Sequence, residues 1–213
     1  MTLRQRNAHN SAYLIAAADG PLDDPYHKRR LVPFGEYLPL AHILTWPRWL
    51  VPEISVGKAG DSDRQWKLPD GVRVAALICW ENLFADLARE SVQNGAQVLV
   101  QLTNDTWFGH TAAAAQHNLA SVLRAVENRT PVVIASNTGP SQIIDGYGRV
   151  LSRVSSLFDE GIAHAEIPYA ARGTLYTECG DVLLIAMAAV VLLALIHGRR
   201  RGVRSAPQPQ GRT

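Results

Sequence analysis

Residues 71–90 read GVRVAALICWENLFADLARE, and this stretch decides the fold that we expect for the chain. The continuous apolar run over 72–79 predicts a strand buried on both faces, and helical spacing follows over 83–94. Between them lies the polar segment Trp80-Glu81-Asn82. One of the chain's 2 cysteines, Cys79, therefore lies where a buried strand ends and a helix is about to begin.

The rest of the chain repeats this alternation of strand and helix. We expect further strands at 11–18, 97–102, 131–136 and 161–167, a second helix at 112–128, and a hairpin through Asp145-Gly146. In the second helix, one face carries Leu119, Val122, Leu123 and Val126. Strands that alternate with helices predict an α/β layered domain whose strands are mostly buried.

The composition is that of a globular protein, and it argues against several kinds of partner. Of the 213 residues, 47% are hydrophobic and 19% are charged, and the net charge is +2. The basic residues cluster towards the two ends, at Lys28-Arg29-Arg30 and Arg199-Arg200-Arg201, so we expect no nucleic-acid partner. No CxxC or His/Cys spacing suits zinc, so we expect no metal and no cofactor, and interpret His110 and His117 as surface or packing residues.

The C-terminal region differs in composition from the rest of the chain. Residues 182–196, VLLIAMAAVVLLALI, form an uninterrupted apolar run that three arginines soon follow. A bilayer span needs about 20 residues, so we predict a transmembrane helix over 180–198 and a basic disordered cytoplasmic tail over 199–213. A buried core helix is the alternative. If the helix spans, the positive-inside rule places everything before Asp181 on the outer face.

Polar groups collect at three strand ends, which is where α/β folds build their sites. The three segments are Cys79-Trp80-Glu81-Asn82, Asn104-Asp105-Thr106-Trp107 and Ser136-Asn137-Thr138. A cysteine before a helix N-terminus is favoured as the thiolate, the form that attacks acyl groups. The alternative is an inert, buried core thiol, because free cysteines are among the most buried residues.

Two further residues, Lys28 and Glu36, bracket the segment KRRLVPFGE and suit the same chemistry. A lysine stabilises an oxyanion because it places a full positive charge where negative charge develops. A glutamate serves as a base or orients that lysine. The alternative for Lys28 is one more cation in a solvated basic turn.

Three segments together are highly specific: YHKRRLVPFGEYLPL at 26–40, LICWENLF at 77–84 and LTNDTWFG at 102–109. They resemble the carbon–nitrogen hydrolase (nitrilase) superfamily and, more narrowly, its membrane-bound apolipoprotein N-acyltransferase family. The resemblance runs in the same order from residue 10 to about 201. It implies a nitrilase-like α-β-β-α sandwich over 1–175, incomplete at its N-terminus, followed by one C-terminal transmembrane helix.

The resemblance also implies roles for individual residues. Cys79 would be the nucleophile that carries the acyl thioester, and Lys28 would hold the tetrahedral oxyanion. Glu36 would orient Lys28, and Glu81 would orient the nucleophile turn. The remaining residues, Trp80, Asn104, Asp105 and Trp107, would shape the substrate pocket, although turn and capping chemistry is the alternative for Asp105 and for Asn137.

The implied reaction takes a fatty acyl chain from a membrane phospholipid and passes it, through the Cys79 thioester, to the N-terminal diacylglyceryl-cysteine of apolipoproteins. The implied location is the cytoplasmic (inner) membrane of a bacterium, with the catalytic domain on its periplasmic face. Two alternatives stay open: a carbon–nitrogen hydrolase of the amidase or nitrilase type, and a non-catalytic subunit or remnant.

The chain departs from the family pattern before Lys28. The family's general-base glutamate precedes its lysine, whereas here only Asp19, Asp23 and Asp24 do so. The start, MTLRQRNAHN, also lacks an export signal. We therefore expect the C-terminal part of an enzyme that is inactive alone and folds poorly alone, either half of a split enzyme, a mis-assigned gene start or a decayed fragment. Cys179 is expected to be incidental, although a Cys79–Cys179 disulfide would disable the nucleophile.

Overall fold

The computed structural model describes residues 8–18, 20–47, 57–154, 157–168 and 173–204, the last seven of these without side chains. Asp19, and the part of the predicted tail that follows residue 204, lie outside these ranges. The strands are β1 Ser11–Ala12, β2 Ile15–Ala16, β3 Gly20–Pro21, β4 Tyr26–His27, β5 Gln65–Lys67, β6 Arg73–Ile78, β7 Val98–Thr103, β8 Val132–Ser136, β9 Gln142–Ile144 and β10 Val150–Arg153. The α-helices are α1 Ala85–Gln93, α2 Ala113–Asn128, α3 Leu175–Cys179 and α4 Val182–Arg204.

A six-stranded sheet in the order β10-β9-β8-β7-β6-β5 forms the centre of the fold. The predicted buried strand is β6, and it pairs in parallel with β7, which pairs in parallel with β8. The outer strands β5, β9 and β10 run antiparallel to their neighbours. Because β6, β7 and β8 are parallel, their carboxyl ends lie side by side, and the three polar segments predicted from the sequence meet at one edge.

Both faces of this sheet are covered, as the continuous apolar run in β6 predicts. On one face, Ala75 and Leu77 pack with Leu87 of α1 and Ala125 of α2. On the other face, the alternate residues of β6 form a second core with neighbours from β1, β4 and β5, namely Ala12, Tyr26, Trp66, Val74, Ala76 and Ile78. The described residues thus form a layered α/β fold, with α1 and α2 on one face of the sheet and the short strands β1 and β4 on the other.

Two of the predicted strands differ in the structure. The expected strand at 11–18 is divided, because Ile15 turns back to pair with Pro21 whereas Ser11 pairs with His27. The expected strand at 161–167 is wrong: Ile162 is 95% exposed. The segment lies beside β10, but the backbone N–H of His164 donates to the Ser152 hydroxyl rather than to a backbone carbonyl. Without a ladder of backbone hydrogen bonds, an alternating pattern does not make a strand.

The helix predicted at 112–128 is confirmed as α2, yet three of the four apolar residues on its predicted face point outwards and only Val122 packs against the core. Leu119, Leu123 and Val126 are exposed. The buried side chains are mostly polar: His117, Asn118, Ser121, Arg124 and Asn128. The physical reason is that α2 covers the polar turn after β6 as well as the sheet, so Ala125 packs into the core while the neighbouring buried side chains of α2 are polar.

The chain is also helical where a membrane span was predicted, over Val182–Arg204. The side chains from Val182 to Ile196 are exposed, so the alternative of a buried core helix is wrong. Within the fully described residues, no helix combines the length and apolarity that crossing a membrane requires. The transmembrane prediction over 180–198 is therefore not confirmed.

Candidate functional site

Cys79 occupies a strained turn at the end of β6. Its φ of 56° lies in the left-handed region, which costs a non-glycine residue of order 1 kcal/mol or more. A 3-10 helix, Cys79–Leu83, follows, and Phe84 is extended, so α1 begins at Ala85 rather than at the predicted 83. The thiol is free and half-buried. Backbone strain of this kind needs surrounding contacts that enforce it.

Glu81 connects the cysteine turn to the segment that carries Lys28. One carboxylate oxygen accepts from the Tyr26 hydroxyl at 2.9 Å and from the Ile78 backbone N–H at 2.8 Å. The other accepts from the backbone N–H groups of Arg29 at 2.7 Å and Arg30 at 3.0 Å. Glu81 is fully buried, and its four donors satisfy a carboxylate that burial would otherwise penalise.

The Tyr26 hydroxyl is held as a donor in this arrangement. Burial and the adjacent Glu81 carboxylate raise the pKa of Tyr26 well above its usual range. A phenol that stays protonated continues to donate to Glu81 at every physiological pH. The buried surroundings of Tyr26 therefore keep the hydrogen bonds to the Glu81 carboxylate in one arrangement.

Lys28 is buried to 1% exposure and forms a chelated pair with Glu36. Its ammonium nitrogen lies 2.8 Å from both carboxylate oxygens, and Glu36 also accepts from the Val32 backbone N–H at 2.8 Å. The alternative of a solvated basic turn is wrong for Lys28. Its lost hydration is replaced by a charge-assisted pair that fixes where the positive charge lies.

The two arginines after Lys28 attach the same segment to α1. Arg29 pairs with Glu90 at 2.7 Å, and Arg30 pairs with Asp86 at 2.7 Å. The Trp80 indole N–H donates to the Arg30 carbonyl at 2.5 Å, and its ring meets Phe84 edge to face at 5.1 Å. Trp80 thus joins the cysteine turn to the segment that carries Lys28.

The loop after β7 is closed by its own polar groups. The Asn104 side-chain oxygen accepts from Thr106 N–H at 3.2 Å and from the Asn137 amide at 2.9 Å. Asp105 is buried and accepts from Thr103 at 2.8 Å. The Asp105 bond to Thr103 is local, whereas the Asn137 bond joins this loop to the loop after β8. Trp107 at the loop tip is 88% exposed.

His117 is buried, and its Nδ1 lies 3.0 Å from Asp105 Oδ1. Its ring also packs edge to face against Phe108. Of the two predicted possibilities for this histidine, surface or packing, the structure therefore shows packing. The pair joins α2 to the loop after β7 and so adds to what fixes that loop.

The carboxylates before Lys28 lie at the surface where they are described. Asp24 pairs with Arg64 at 3.3 Å, and Asp23 is exposed. Among the described residues, no hydrogen bond reaches the Cys79 thiol, and no cluster of three metal-ligating side chains is found. Cys179 is a free, exposed thiol.

Sequence reasoning missed a polar cluster beneath the cysteine turn. It consists of Asn82, Gln101 and Ser121, each buried. The available signal was Gln101 itself, the one amide within the otherwise apolar run VLVQL of β7. A polar side chain in a strand buried on both faces requires partners.

Relatives of known sequence align with most of this chain. Apolipoprotein N-acyltransferase of Geobacter metallireducens is 36% identical over 195 residues, which are 91% of this chain and 37% of that protein. That of Gloeobacter violaceus is 40% identical over 186 residues, which are 84% of this chain and 35% of that protein. The chain thus spans little more than a third of the length of these curated relatives.

Solved structures share the fold at low sequence identity. A mutant of the amidase from Nesterenkonia sp., with the acetamide moiety of fluoroacetamide added covalently at its active-site cysteine, matches with a TM-score of 0.56 and 18% identity over 83% of this chain and 60% of that chain. The carbon-nitrogen hydrolase from Helicobacter pylori matches with a TM-score of 0.52 and 17% identity over 75% of this chain and 56% of that chain. At these identities the likeness shows the fold alone.

The remaining comparison is with protein families as a whole. The sequence profile of the carbon-nitrogen hydrolases matches residues 3–175, which include Lys28, Glu36 and the cysteine turn. The sheet, its helix layer and the loops at the strand ends all lie within that match. The chain belongs to the carbon-nitrogen hydrolase family.

Proposed function

We propose that this chain supplies the nucleophile and the oxyanion-binding lysine of an apolipoprotein N-acyltransferase. The observation that carries the proposal is the joining of the Lys28 segment to the Cys79 turn through the buried carboxylate of Glu81. A fixed cation on a segment that is joined to a strained cysteine turn suits acyl transfer through a thioester. The names of the relatives supply the substrate class.

In the first half-reaction, the Cys79 sulfur attacks the ester carbonyl of a membrane phospholipid. The carbonyl oxygen becomes an oxyanion, and the Lys28 ammonium stabilises it while Glu36 keeps that ammonium in place. Collapse of the tetrahedral intermediate breaks the ester bond. The lysophospholipid leaves as an alcohol carrying the proton that the thiol gave up, and the acyl chain stays on sulfur as a thioester.

In the second half-reaction, the α-amino group of the N-terminal diacylglyceryl-cysteine of an apolipoprotein attacks the thioester. The same lysine stabilises the second oxyanion. An amide bond forms, the carbon–sulfur bond breaks, and the proton lost by the amine returns to Cys79. In this mechanism Trp80, Asn104, Asp105 and Trp107 shape the pocket around the lipid chains.

A general base is needed for both proton transfers, and we propose that it comes from outside the described residues. Glu36 is engaged by Lys28, and Glu81 already accepts four hydrogen bonds. We further propose that a segment outside the 213 residues, or a separate N-terminal half, supplies this base, so that the 213 residues alone are inactive.

Attachment to a membrane is the second part of the proposal. The first sixteen residues of α4 present apolar side chains to solvent on every face, with only His197 at their end polar. Such a surface is stable in contact with lipid acyl chains rather than water. The catalytic domain, residues 1–175, then lies against the periplasmic face of the inner membrane of a bacterium, which is the location that the resemblance implies.

The experiment measures acyl transfer from a phospholipid with a labelled acyl chain to a diacylglyceryl-cysteine lipopeptide in mixed micelles. The chain is tested alone and together with the part of the Geobacter metallireducens relative that lies outside the matched region. We expect no transfer by the chain alone, and a labelled thioester on Cys79 with N-acylated lipopeptide for the combination. Cys79→Ala abolishes the thioester, and the matched control Cys179→Ala retains it.

Three results would count against the proposal. Robust transfer by the chain alone contradicts the missing base. Failure to label Cys79 in the combination contradicts the acyltransferase assignment. Release of ammonia from small amides, dependent on Cys79 and without acyl transfer, favours the hydrolase alternative.

A further inference from the structure

A network of buried amide and hydroxyl groups lies under the cysteine turn. The Asn82 amide nitrogen donates to Gln101 Oε1 at 3.2 Å, to Ser121 Oγ at 2.9 Å and to the His117 carbonyl at 2.8 Å. The Ser121 hydroxyl also donates to Gln101 Oε1. These bonds join the turn, β7 and α2 in the helix layer of the fold.

The network reaches the backbone of the turn at both of its ends. At the start, the Gln101 side-chain N–H donates to the Cys79 carbonyl at 3.4 Å. At the end, the Arg124 guanidinium donates to the carbonyls of Asn82 at 3.3 Å and Leu83 at 3.2 Å. Carbonyls at the end of a short helix have no partner within it, so the arginine supplies one.

Burying polar side chains costs desolvation free energy, so their presence in this layer indicates a specific role. Gln101 lies in a strand buried on both faces, where an apolar side chain would need no partners. The strained φ of Cys79 persists only if its surroundings over-determine it. The network provides directional bonds at that point, which apolar packing does not.

We propose that Asn82, Gln101, Ser121 and Arg124 are positioning residues that hold Cys79 in its left-handed conformation. They act through the backbone of the turn and touch no substrate. The inference rests on the proposed function only in taking Cys79 as the reacting group. It also explains why α2 presents its polar face to the sheet and leaves its leucines exposed.

The test compares Gln101→Leu with Gln93→Leu in the full chain. Gln93 is the matched control because its amide also donates to a backbone carbonyl, that of Thr177 at 2.8 Å, but away from the cysteine turn. Alkylation by iodoacetamide is followed at both cysteines by peptide mass spectrometry, so that Cys179 serves as the internal reference. Hydrogen exchange of residues 79–83 and urea unfolding are measured on the same samples.

For Gln101→Leu we expect exchange in the turn to rise by about tenfold, the scale of releasing one strained residue. The half-buried thiol becomes more accessible, so the alkylation ratio of Cys79 to Cys179 rises about fivefold or more. Gln93→Leu leaves that ratio unchanged. In the acyl-transfer assay, Gln101→Leu loses activity although its thiol is more accessible. If accessibility alone set the activity of Cys79, the activity would rise instead.

A fall in urea midpoint for Gln101→Leu with an unchanged alkylation ratio overturns the inference, because the network is then structural only. If Gln101→Leu shows no cooperative unfolding, Ser121→Ala is measured instead, and an unchanged ratio there overturns the inference as well. If the ratio rises as expected but Cys79 is never acylated in the wild-type combination, the proposed function fails while the positioning role stands.

Discussion

Lys28 and Glu36 form a chelated ion pair in which one ammonium nitrogen lies 2.8 Å from both carboxylate oxygens. The lysine is buried and the glutamate is only 26% exposed on its side chain. A pair of this kind is expensive to break from one side, since the remaining charge stays buried without a partner. The arrangement therefore serves stability and site geometry together.

The first prediction concerns this pair. Glu36→Gln leaves the buried ammonium without a counter-charge, and we expect the free energy of unfolding to fall by about 3 kcal/mol. Urea denaturation measures the change. Asp86→Asn breaks the exposed Arg30–Asp86 pair and is the control, with an expected loss of about 0.2–1 kcal/mol. Equal losses in the two variants would show that Lys28 is solvated.

The second prediction concerns the Glu81 carboxylate. Glu81→Gln replaces one acceptor oxygen with a donor, so it opposes two of the four N–H and O–H groups that now point at the side chain. We expect a loss of about 2–4 kcal/mol, together with faster hydrogen exchange at Arg29 and Arg30. If the Glu81→Gln variant keeps the native exchange rates at the Arg29 and Arg30 amides, the prediction is wrong, because Glu81 then does not hold the lysine segment to the cysteine turn.

The third prediction concerns pH and the hairpin between β9 and β10. Although burial opposes it, hydrogen bonds from Arg149 and Tyr147 lower the pKa of Asp145. A carboxyl whose pKa is lower in the folded state stabilises the fold above its unfolded pKa, and that contribution is lost as pH falls through the folded value. We expect Asp145→Asn to flatten the decline in urea midpoint between pH 5 and about pH 3. If the urea midpoint of Asp145→Asn falls with pH as steeply as that of the unsubstituted chain, the acid sensitivity comes from other carboxyl groups.

The fourth prediction concerns the contact that holds α3, just before α4, against α1. The Arg89 guanidinium donates to the carbonyls of Tyr176 at 3.1 Å, Thr177 at 2.8 Å and Glu178 at 2.8 Å. Arg89→Ala removes all of these bonds, and we expect hydrogen exchange in α3 to increase by about tenfold with little change in β7. Arg153→Ala on β10 is the control and leaves α3 unchanged. Exchange that rises equally in β7 would indicate global destabilisation instead.

Much of the fold could be predicted from local patterns. The buried strand over 72–79, the helices that became α1 and α2, and the hairpin through Asp145-Gly146 all follow from periodicity and turn residues. The failures share a cause. The segment 161–167 alternates like a strand but makes no ladder, and the apolar stripe of α2 faces outwards. Periodicity identifies which residues share a face, whereas the element that packs against that face decides whether it is buried.

Part of the candidate site could also be identified from the sequence. Cys79, Lys28, Glu36 and Glu81 were selected by residue type, spacing and resemblance, and their catalytic roles stay predictions. The polar network of Asn82, Gln101 and Ser121 was not selected. Its members are 19, 20 and 39 residues apart along the chain, so no local spacing connects them.

The sequence by itself determined the central strands β6, β7 and β8, the helices α1 and α2, and which residues have functional groups suited to acyl transfer. These elements and residues depend on local periodicity, turn propensity and functional groups, all of which can be read from the sequence. Only the tertiary structure decided that Lys28 is buried against Glu36 and that Glu81 joins the lysine segment to the cysteine turn. The reason is physical: hydrogen bonding and desolvation depend on which distant segments meet, and here the parallel pairing of β6, β7 and β8 brings their loops together.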